Sequence, residues 1–201
     1  MTFTKTLSVL VLATILLINI GCSNSTKYSS PDAVFAQFKS VGINKDFEGL
    51  YEILTPEAQA KAVKKMVGVV ATLKKMDEIP GGDSADVEGK ETLAKAVALA
   101  KKYGLTEELL GEITSLGNTK DPAIDKAVES ITDPKAYCSG IMKILAEQKK
   151  NASMEDGIVD ATLSDVKIDG DTATGTVTMN GRTRERTFKK IDGSWRIGLI
   201  N

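Results

Sequence analysis

The 201-residue sequence contains no histidine. Histidine is the commonest general base and the commonest metal ligand in proteins. Its absence excludes the Ser-His-Asp and Cys-His catalytic arrangements and the HExxH zinc motif. We therefore predict no catalytic residue, no metal site and no other cofactor, and the sequence favours a binding or interaction protein over an enzyme.

Aromatic residues make up only 5% of the sequence, and the formal net charge is only -1. A nearly neutral chain has no global field to recruit nucleic acid, and few aromatic rings are available for stacking on bases. We expect no nucleic-acid partner. The hydrophobic content of 42% is enough for a sizeable core, and the length suggests one domain once a stretch at one end is discounted.

The sequence has two cysteines, Cys22 and Cys138. Cys138 lies in a helical stretch and is interpreted as a small buried hydrophobic residue, the usual role of a free cysteine. A nucleophilic thiol would need a base or a cation beside it, and the nearby cations in sequence are Lys135 and Lys143. Cys22 closes an apolar leader and is expected to have a different role.

The N-terminal segment predicts a signal peptide over residues 1–21. Lys5 supplies the short basic flank, an almost wholly apolar run follows, and the small residue Gly21 precedes Cys22. The run is somewhat shorter than the roughly 20 residues that a membrane-spanning helix needs. An uncleaved transmembrane anchor is the alternative.

The residues Ile20-Gly21-Cys22 resemble the lipobox of bacterial lipoproteins, in which the cysteine becomes the lipidated first residue of the mature chain. That family usually has an apolar residue where this chain has Asn19. The resemblance implies lipidation of Cys22 by acyl chains such as palmitate, which attach the protein to a membrane of the bacterial cell envelope. By the sorting pattern of that family, Ser23 rather than Asp after the cysteine implies the outer membrane of a diderm bacterium, facing the periplasm. Residues 22–30 are then expected to form a lipidated tether and linker.

The pattern from residue 31 to about residue 151 is helical, with starts at Ser30-Pro31 and Thr55-Pro56 and a Pro-Gly-Gly loop at 80–82. Four strands are predicted afterwards, separated by the Asp-Gly and Asn-Gly turns of hairpins. These strands cover Ile158–Ile168, Thr172–Met179, Thr183–Lys190 and Trp195–Ile200. The apolar parity switches within the first strand, which predicts a bulge near Ser164-Asp165.

The sequence therefore predicts one α+β domain over residues 31–201, with N-terminal and central helices packed on a C-terminal antiparallel four-stranded meander. The helix start "SPDA", the segment "KDFEGLYEILTPEA" and the strands from "VKIDGDTATGTVTMNG" to "FKKIDGSWRIGLI" resemble the cystatin-like cone of the nuclear-transport-factor superfamily. More narrowly, they resemble uncharacterised bacterial lipoproteins of that shape. The resemblance implies a cone with a helical insertion at 57–151 and a β-meander at 158–200. This superfamily contains enzymes and non-enzymes, so it implies no single function.

The hairpin turns also predict a candidate site. Two-residue turns pair Val177 with Arg184 and Gly175 with Arg186, and paired residues share a face of the sheet. The apolar face then carries Ala173, Val177, Phe188, Trp195, Ile197 and Leu199. Arg184 and Arg186 fall on the same face, where two guanidinium groups could bind a carboxylate or phosphate. The plainer interpretation, which the sequence favours, is that their stems cross apolar surface to reach water or a local acid.

Other charged clusters are interpreted structurally. Asp165, Asp169 and Asp171 lie around a hairpin turn and are read as turn residues rather than as a calcium site. The pair Lys64-Lys65 is read as part of a solvated helix face.

We therefore expect a lipid-anchored cell-envelope protein that acts as a non-enzymatic binding or interaction module. Its cavity, lined by the apolar sheet face and roofed by helices, is expected to bind a small anionic ligand. One alternative is a structural protein whose helical surface at 57–151 contacts another envelope protein. The other is an isomerase or hydrolase of the kind the cone-fold superfamily sometimes hosts.

Overall fold

The computed structural model describes residues 27–78, 87–113, 121–147 and 157–198. The helices are α1 (Pro31–Ile43), α2 (Phe47–Glu52), α3 (Pro56–Glu78), α4 (Val87–Lys102), α5 (Glu107–Glu112), α6 (Pro122–Glu129) and α7 (Pro134–Ala146). The strands are β1 (Thr162–Asp169), β2 (Thr172–Met179), β3 (Arg182–Ile191) and β4 (Ser194–Ile197), and they form one antiparallel sheet in that order. The predicted α+β class, with helices followed by a four-stranded meander, is confirmed.

The predicted signal peptide and Cys22 lie outside the described residues. Within the described ranges, no helix combines the length and the apolar character that crossing a bilayer requires.

Short polar side chains before proline start several of the helices. The Ser30 hydroxyl accepts a hydrogen bond from the Ala33 amide at 3.1 Å, and the Asp133 carboxylate accepts one from the Ala136 amide at 2.9 Å. Proline in the first turn loses no helical hydrogen bond, because the amides there have no partner within the helix. After the end of α4, Gly104 has a φ of 100°, a backbone conformation that favours glycine.

The sheet has the predicted register over the strands that form the candidate site. Val177 pairs with Arg184, Gly175 with Arg186 and Phe188 with Ile197. Both connecting turns contain two residues with positive φ, as type I′ turns require. The predicted partner Leu199 of Arg186 lies outside the described residues.

The first strand starts later than predicted. Residues 157–159 form a helical turn, and β1 begins only at Thr162, so the predicted start at Ile158 is wrong. Ile158 is buried against Gly42 of α1, and its carbonyl accepts a hydrogen bond from the Ala161 amide at 3.2 Å. The predicted bulge is confirmed, because the β1–β2 register shifts between Ser164 and Lys167.

The buried residues form a helical core and a sheet core. The helical core lies among α3 to α7, whereas the sheet core lies between α1 and one face of the sheet. Helix α2 joins them, because Leu50 packs against the sheet core and Tyr51 packs against the helical core. The helices between α2 and the meander therefore have an interior of their own.

The residues just before α1 belong to the folded body. Tyr28 is only 9% exposed, and its carbonyl accepts a hydrogen bond from the Trp195 amide of β4 at 2.9 Å. The Lys27 amide donates to the Ser194 hydroxyl at 3.0 Å. The predicted linker extended to Ser30, but Lys27 and Tyr28 are already attached to the sheet edge.

Candidate functional site

A cleft of about 940 Å³ opens between α1, the first turns of α3 and the apolar face of the sheet. This volume lies within the range of about 300–1,000 Å³ that small-molecule sites usually have. Its apolar lining comprises Phe35, Phe38, Leu54, Ala58, Ala60, Ala62, Val177, Met179, Phe188 and Ile197. Its charged lining comprises Glu57, Lys61, Lys64, Lys65 and Arg186.

The periodicities of the strands and helices determine which side chains form the walls of the cleft. Val177 on β2 and Phe188 on β3 point to the same face because alternate strand residues share a side. Phe35 and Phe38 lie three residues apart on α1, and their rings stack with centroids 5.8 Å apart. The α3 wall is built partly from alanines, whose small side chains leave the cleft open.

Arg186 lies on the apolar wall as its predicted register requires, and it lines the cleft. Its side chain is partly buried, and no described carboxylate lies within salt-bridge distance of it. Burial lowers the pKa of Arg186, and the neighbouring positive charge of Arg184 lowers it further. The local acid that the plainer interpretation allowed is therefore not present among the described residues.

Arg184 lies one step along the same face of β3 and is exposed. It lines a second depression, of about 400 Å³, together with Arg182 and Arg186. Val177 and Met179 line both the cleft and this depression, so the two spaces adjoin at the β2–β3 hairpin end of the sheet. The structure therefore brings Arg184 and Arg186 together, with Arg186 at the junction.

The lysines of α3 were not predicted as site residues. Lys61 and Lys65 are four residues apart on one helical face, and both line the cleft. Lys64 also lines it but forms an ion pair with Asp125 of α6. The i, i+4 spacing was visible in the sequence, but only the crossing of α3 over the sheet shows that this face borders the cleft.

Glu57 is the one carboxylate among the described lining residues. Its side chain accepts a hydrogen bond from Lys189 at 3.0 Å. The pKa of Glu57 is lowered to about 2 by its own backbone amide at the start of α3, by Lys189 and by the Thr55 hydroxyl. A carboxylate this acidic is a weak general base near neutral pH.

The remaining candidates lie elsewhere or outside the described residues. Cys138 is 1% exposed in the helical core, and burial raises the pKa of its thiol to about 11. Asp165 lies at the bulge, where the Ser164 hydroxyl donates to its carboxylate. Within the described ranges, no three acidic or cysteine side chains converge as a metal site. Cys22, the predicted lipidation site, lies outside the described residues.

Comparison with protein-family models, with curated proteins and with solved structures finds no match to this chain.

Proposed function

We propose that this protein is a lipid-anchored, non-enzymatic binding module of the bacterial cell envelope, and that its cleft binds a small anionic ligand. The observation that carries the proposal is Arg186, a partly buried cation on an apolar wall with no described carboxylate partner. Removing a charge from water is costly unless an opposite charge compensates it. A bound carboxylate or phosphate would supply that charge through paired hydrogen bonds to the guanidinium.

The composition of the cleft supports binding rather than catalysis. Glu57 is held as an ionised, hydrogen-bonded carboxylate, and the chain contains no histidine. Cys138 is enclosed in the helical core, away from the cleft lining. These positions offer neither a general base with a pKa near neutrality nor an accessible nucleophile.

A purely structural role for the helices is supported less well. Among the described residues, the exposed large hydrophobic side chains are Ile43, Met76, Val159 and Ile168. They belong to four different segments, and only Met76 lies in the helical region at 57–151. Isolated exposed apolar side chains are ordinary at protein surfaces, whereas interaction sites usually show a contiguous patch.

The proposal includes the finer architecture implied by the family resemblance. In it, α1 and the meander form a cystatin-like cone, and the helices from α3 to α7 form an insertion. The separate helical core supports this division. The cleft then lies where the insertion meets the cone.

Ligand binding is tested by thermal unfolding of the full-length chain across a panel of small carboxylates and phosphates. A true ligand should raise the melting temperature of the wild type, because it binds the folded state alone. Replacing Arg186 by Ala should abolish the increase. The control is Lys167→Gln, which removes one positive charge from the opposite face of the sheet, where Lys167 pairs with Thr174. An unchanged melting temperature across the whole panel would contradict the proposal.

The anchor is tested separately by mass spectrometry of the mature N-terminus from native membranes. We expect a diacylated or triacylated Cys22, and we expect Cys22→Ala to abolish it. Detection of an uncleaved leader would instead indicate a transmembrane anchor. Cleavage at another position would remove the argument for an envelope ligand.

A further inference from the structure

Cations line the cleft on two of its walls. Arg186 belongs to the wall formed by the sheet, whereas Lys61 and Lys65 belong to the wall formed by α3. Lys61 and Lys65 are both exposed and lie one helical turn apart, so their side chains leave the same face of α3. The positive charge of the cleft therefore comes from two separate elements and not from β3 alone.

The acidic side chains around the cleft are already paired with other cations. Glu57 is bonded to Lys189 at 3.0 Å, and Asp125 of α6 is bonded to Lys64. Within the described ranges, the other cations that line the cleft and the adjoining depression have no carboxylate within salt-bridge distance, and they are Lys61, Lys65, Arg182, Arg184 and Arg186. A ligand with a single negative charge would compensate only part of this excess.

The surface beside these cations is apolar on both walls. On the sheet, Phe188 pairs with Ile197, and Arg186 lies two residues before Phe188 on the same face of β3. On α3, Ala58 and Ala62 lie one turn apart and line the cleft beside the lysines. This arrangement fits a ligand with an apolar body and charged groups at separate positions.

We propose that the ligand of this cleft is an organic dianion that bridges the two walls. One anionic group is held by Arg186 with Arg184 beside it, and the second is held by the two lysines of α3. The body of the ligand covers the apolar surface around Phe188. The guanidinium forms paired hydrogen bonds to its anionic group, whereas Lys61 and Lys65 contact theirs as point charges. This inference rests on the proposed function and adds that the ligand has two separate anionic groups, carboxylate or phosphate.

The test compares ligands that differ only in the second charge. The full-length chain is titrated, with thermal unfolding as the readout, with straight-chain dicarboxylates from butanedioate to decanedioate and with the monocarboxylates of equal carbon number. The best dicarboxylate should bind about tenfold or more tightly than its monocarboxylate, because its second carboxylate gains contacts with the α3 cations. Dicarboxylates too short to reach both walls should bind as the monocarboxylates do. The matching alkane bisphosphonates show which of the two anionic groups is preferred.

A variant on α3 isolates the bridge between the walls. Lys61→Gln combined with Lys65→Gln removes the second set of cations at exposed helix positions, where Gln has nearly the helix propensity of Lys. The affinity for the best dicarboxylate should fall about tenfold, to that for its monocarboxylate. The affinity for the monocarboxylate should change by less than about threefold at physiological salt, because that ligand is held by Arg186.

Two further variants complete the comparison. Lys75→Gln, near the end of α3 and outside the cleft lining, should behave as the wild type. Arg186→Gln should weaken the binding of both the monocarboxylate and the dicarboxylate. The comparison of the two ligands in the wild type stands even if a variant fails to fold.

The outcomes separate this inference from the proposed function. Equal affinities for monocarboxylates and dicarboxylates would overturn the dianion and leave the anion-binding module intact. A preference for dicarboxylates that survives the double lysine variant would overturn the bridge to α3. Inorganic phosphate that binds as tightly as the best dicarboxylate would overturn the two separate anionic groups. Absence of any saturable anion binding would overturn both proposals.

Discussion

Tyr137 is fully buried in the helical core, and its hydroxyl has no hydrogen-bond partner in the part of the chain that the structure describes. A buried hydroxyl without a partner loses its hydration and gains nothing in return. We expect Tyr137→Phe to leave the free energy of unfolding unchanged or to raise it by about 1 kcal/mol. Tyr137→Ala should lower it by about 3–5 kcal/mol, because it removes a large buried ring.

Urea unfolding of both variants checks this prediction. A loss of more than about 1 kcal/mol in Tyr137→Phe would show that the hydroxyl has a partner after all, since only removal of a satisfied group is costly.

Cys138 gives a prediction about pH and reactivity. Its buried thiol has a pKa raised to about 11 from 9.0. Because the unfolded thiol ionises first, this group's contribution to stability is fully present below pH 9 and is lost as the pH rises from 9 towards 11. Between pH 9 and 11, the pH dependence of the free energy of unfolding should therefore differ between Cys138→Ser and the wild type.

At pH 8 the native thiol should resist an aromatic disulfide reagent, and unfolding in urea should expose it to complete labelling. The measurement uses Cys22→Ala, because the sequence contains a second cysteine. Rapid labelling of this native variant would contradict the burial of Cys138.

Two glycines allow a matched prediction, in which Gly111 within a helix is the control for Gly104 at a helix end. Gly104 has a φ of 100°, and a Cβ placed there would collide with the Ser130 carbonyl oxygen. Gly111 lies in α5 with no atom within 4 Å of its Cβ position. We expect Gly104→Ala to destabilise the protein by about 1–3 kcal/mol. The same change at Gly111 should stabilise it by about 0.5–1 kcal/mol.

Thermal and urea unfolding of the two alanine variants measure the contrast. Equal effects at the two positions would mean that glycine is not required by the backbone at residue 104.

Elements defined by local chemistry could be predicted from the sequence, and those defined by packing could not. The Asn180-Gly181 turn sets the register of β2 and β3 by itself, so the face that carries Arg186 followed from counting residues. Ile158 directly precedes the alternating residues Val159, Ala161 and Leu163 and was therefore predicted to begin the strand, yet it is buried against Gly42 in a helical turn. That contact joins distant parts of the chain, and no local pattern encodes it.

The residues of the candidate site also fall into those that local sequence predicts and those that only packing reveals. Arg184 and Arg186 were predicted because both belong to one hairpin. Lys61 and Lys65 were not, because their role depends on the angle at which α3 crosses the sheet. The unpaired state of Arg186 also had to be observed, since the sequence allowed a local acid beside it.

The whole molecule has two cores that share connections through α2 and the start of α3. Leu50 and Tyr51 contact different cores, and Arg196 of β4 donates to the Glu52 carbonyl at 2.8 Å. We expect these links to make unfolding cooperative. Trp195, the single tryptophan, is 4% exposed in the sheet core and reports on that core alone.

Urea transitions followed by tryptophan fluorescence and by far-ultraviolet circular dichroism should therefore coincide. Tyr51→Ala weakens the contact of α2 with the helical core. In this variant, the dichroism transition should move to a lower urea concentration than the transition followed by tryptophan fluorescence. Separate transitions in the wild type would show that the helical core unfolds independently of the sheet core.

If Cys22 carries the proposed lipid anchor, the attachment of Tyr28 to β4 sets how far the domain can move from that anchor. Five residue steps separate Cys22 from Lys27, and at most about 3.6 Å per step gives a reach of about 18 Å. A domain lipidated at Cys22 would thus stay next to the bilayer instead of sampling the surrounding compartment. The anion proposed for the cleft would then have to be present in the layer of solution next to that bilayer.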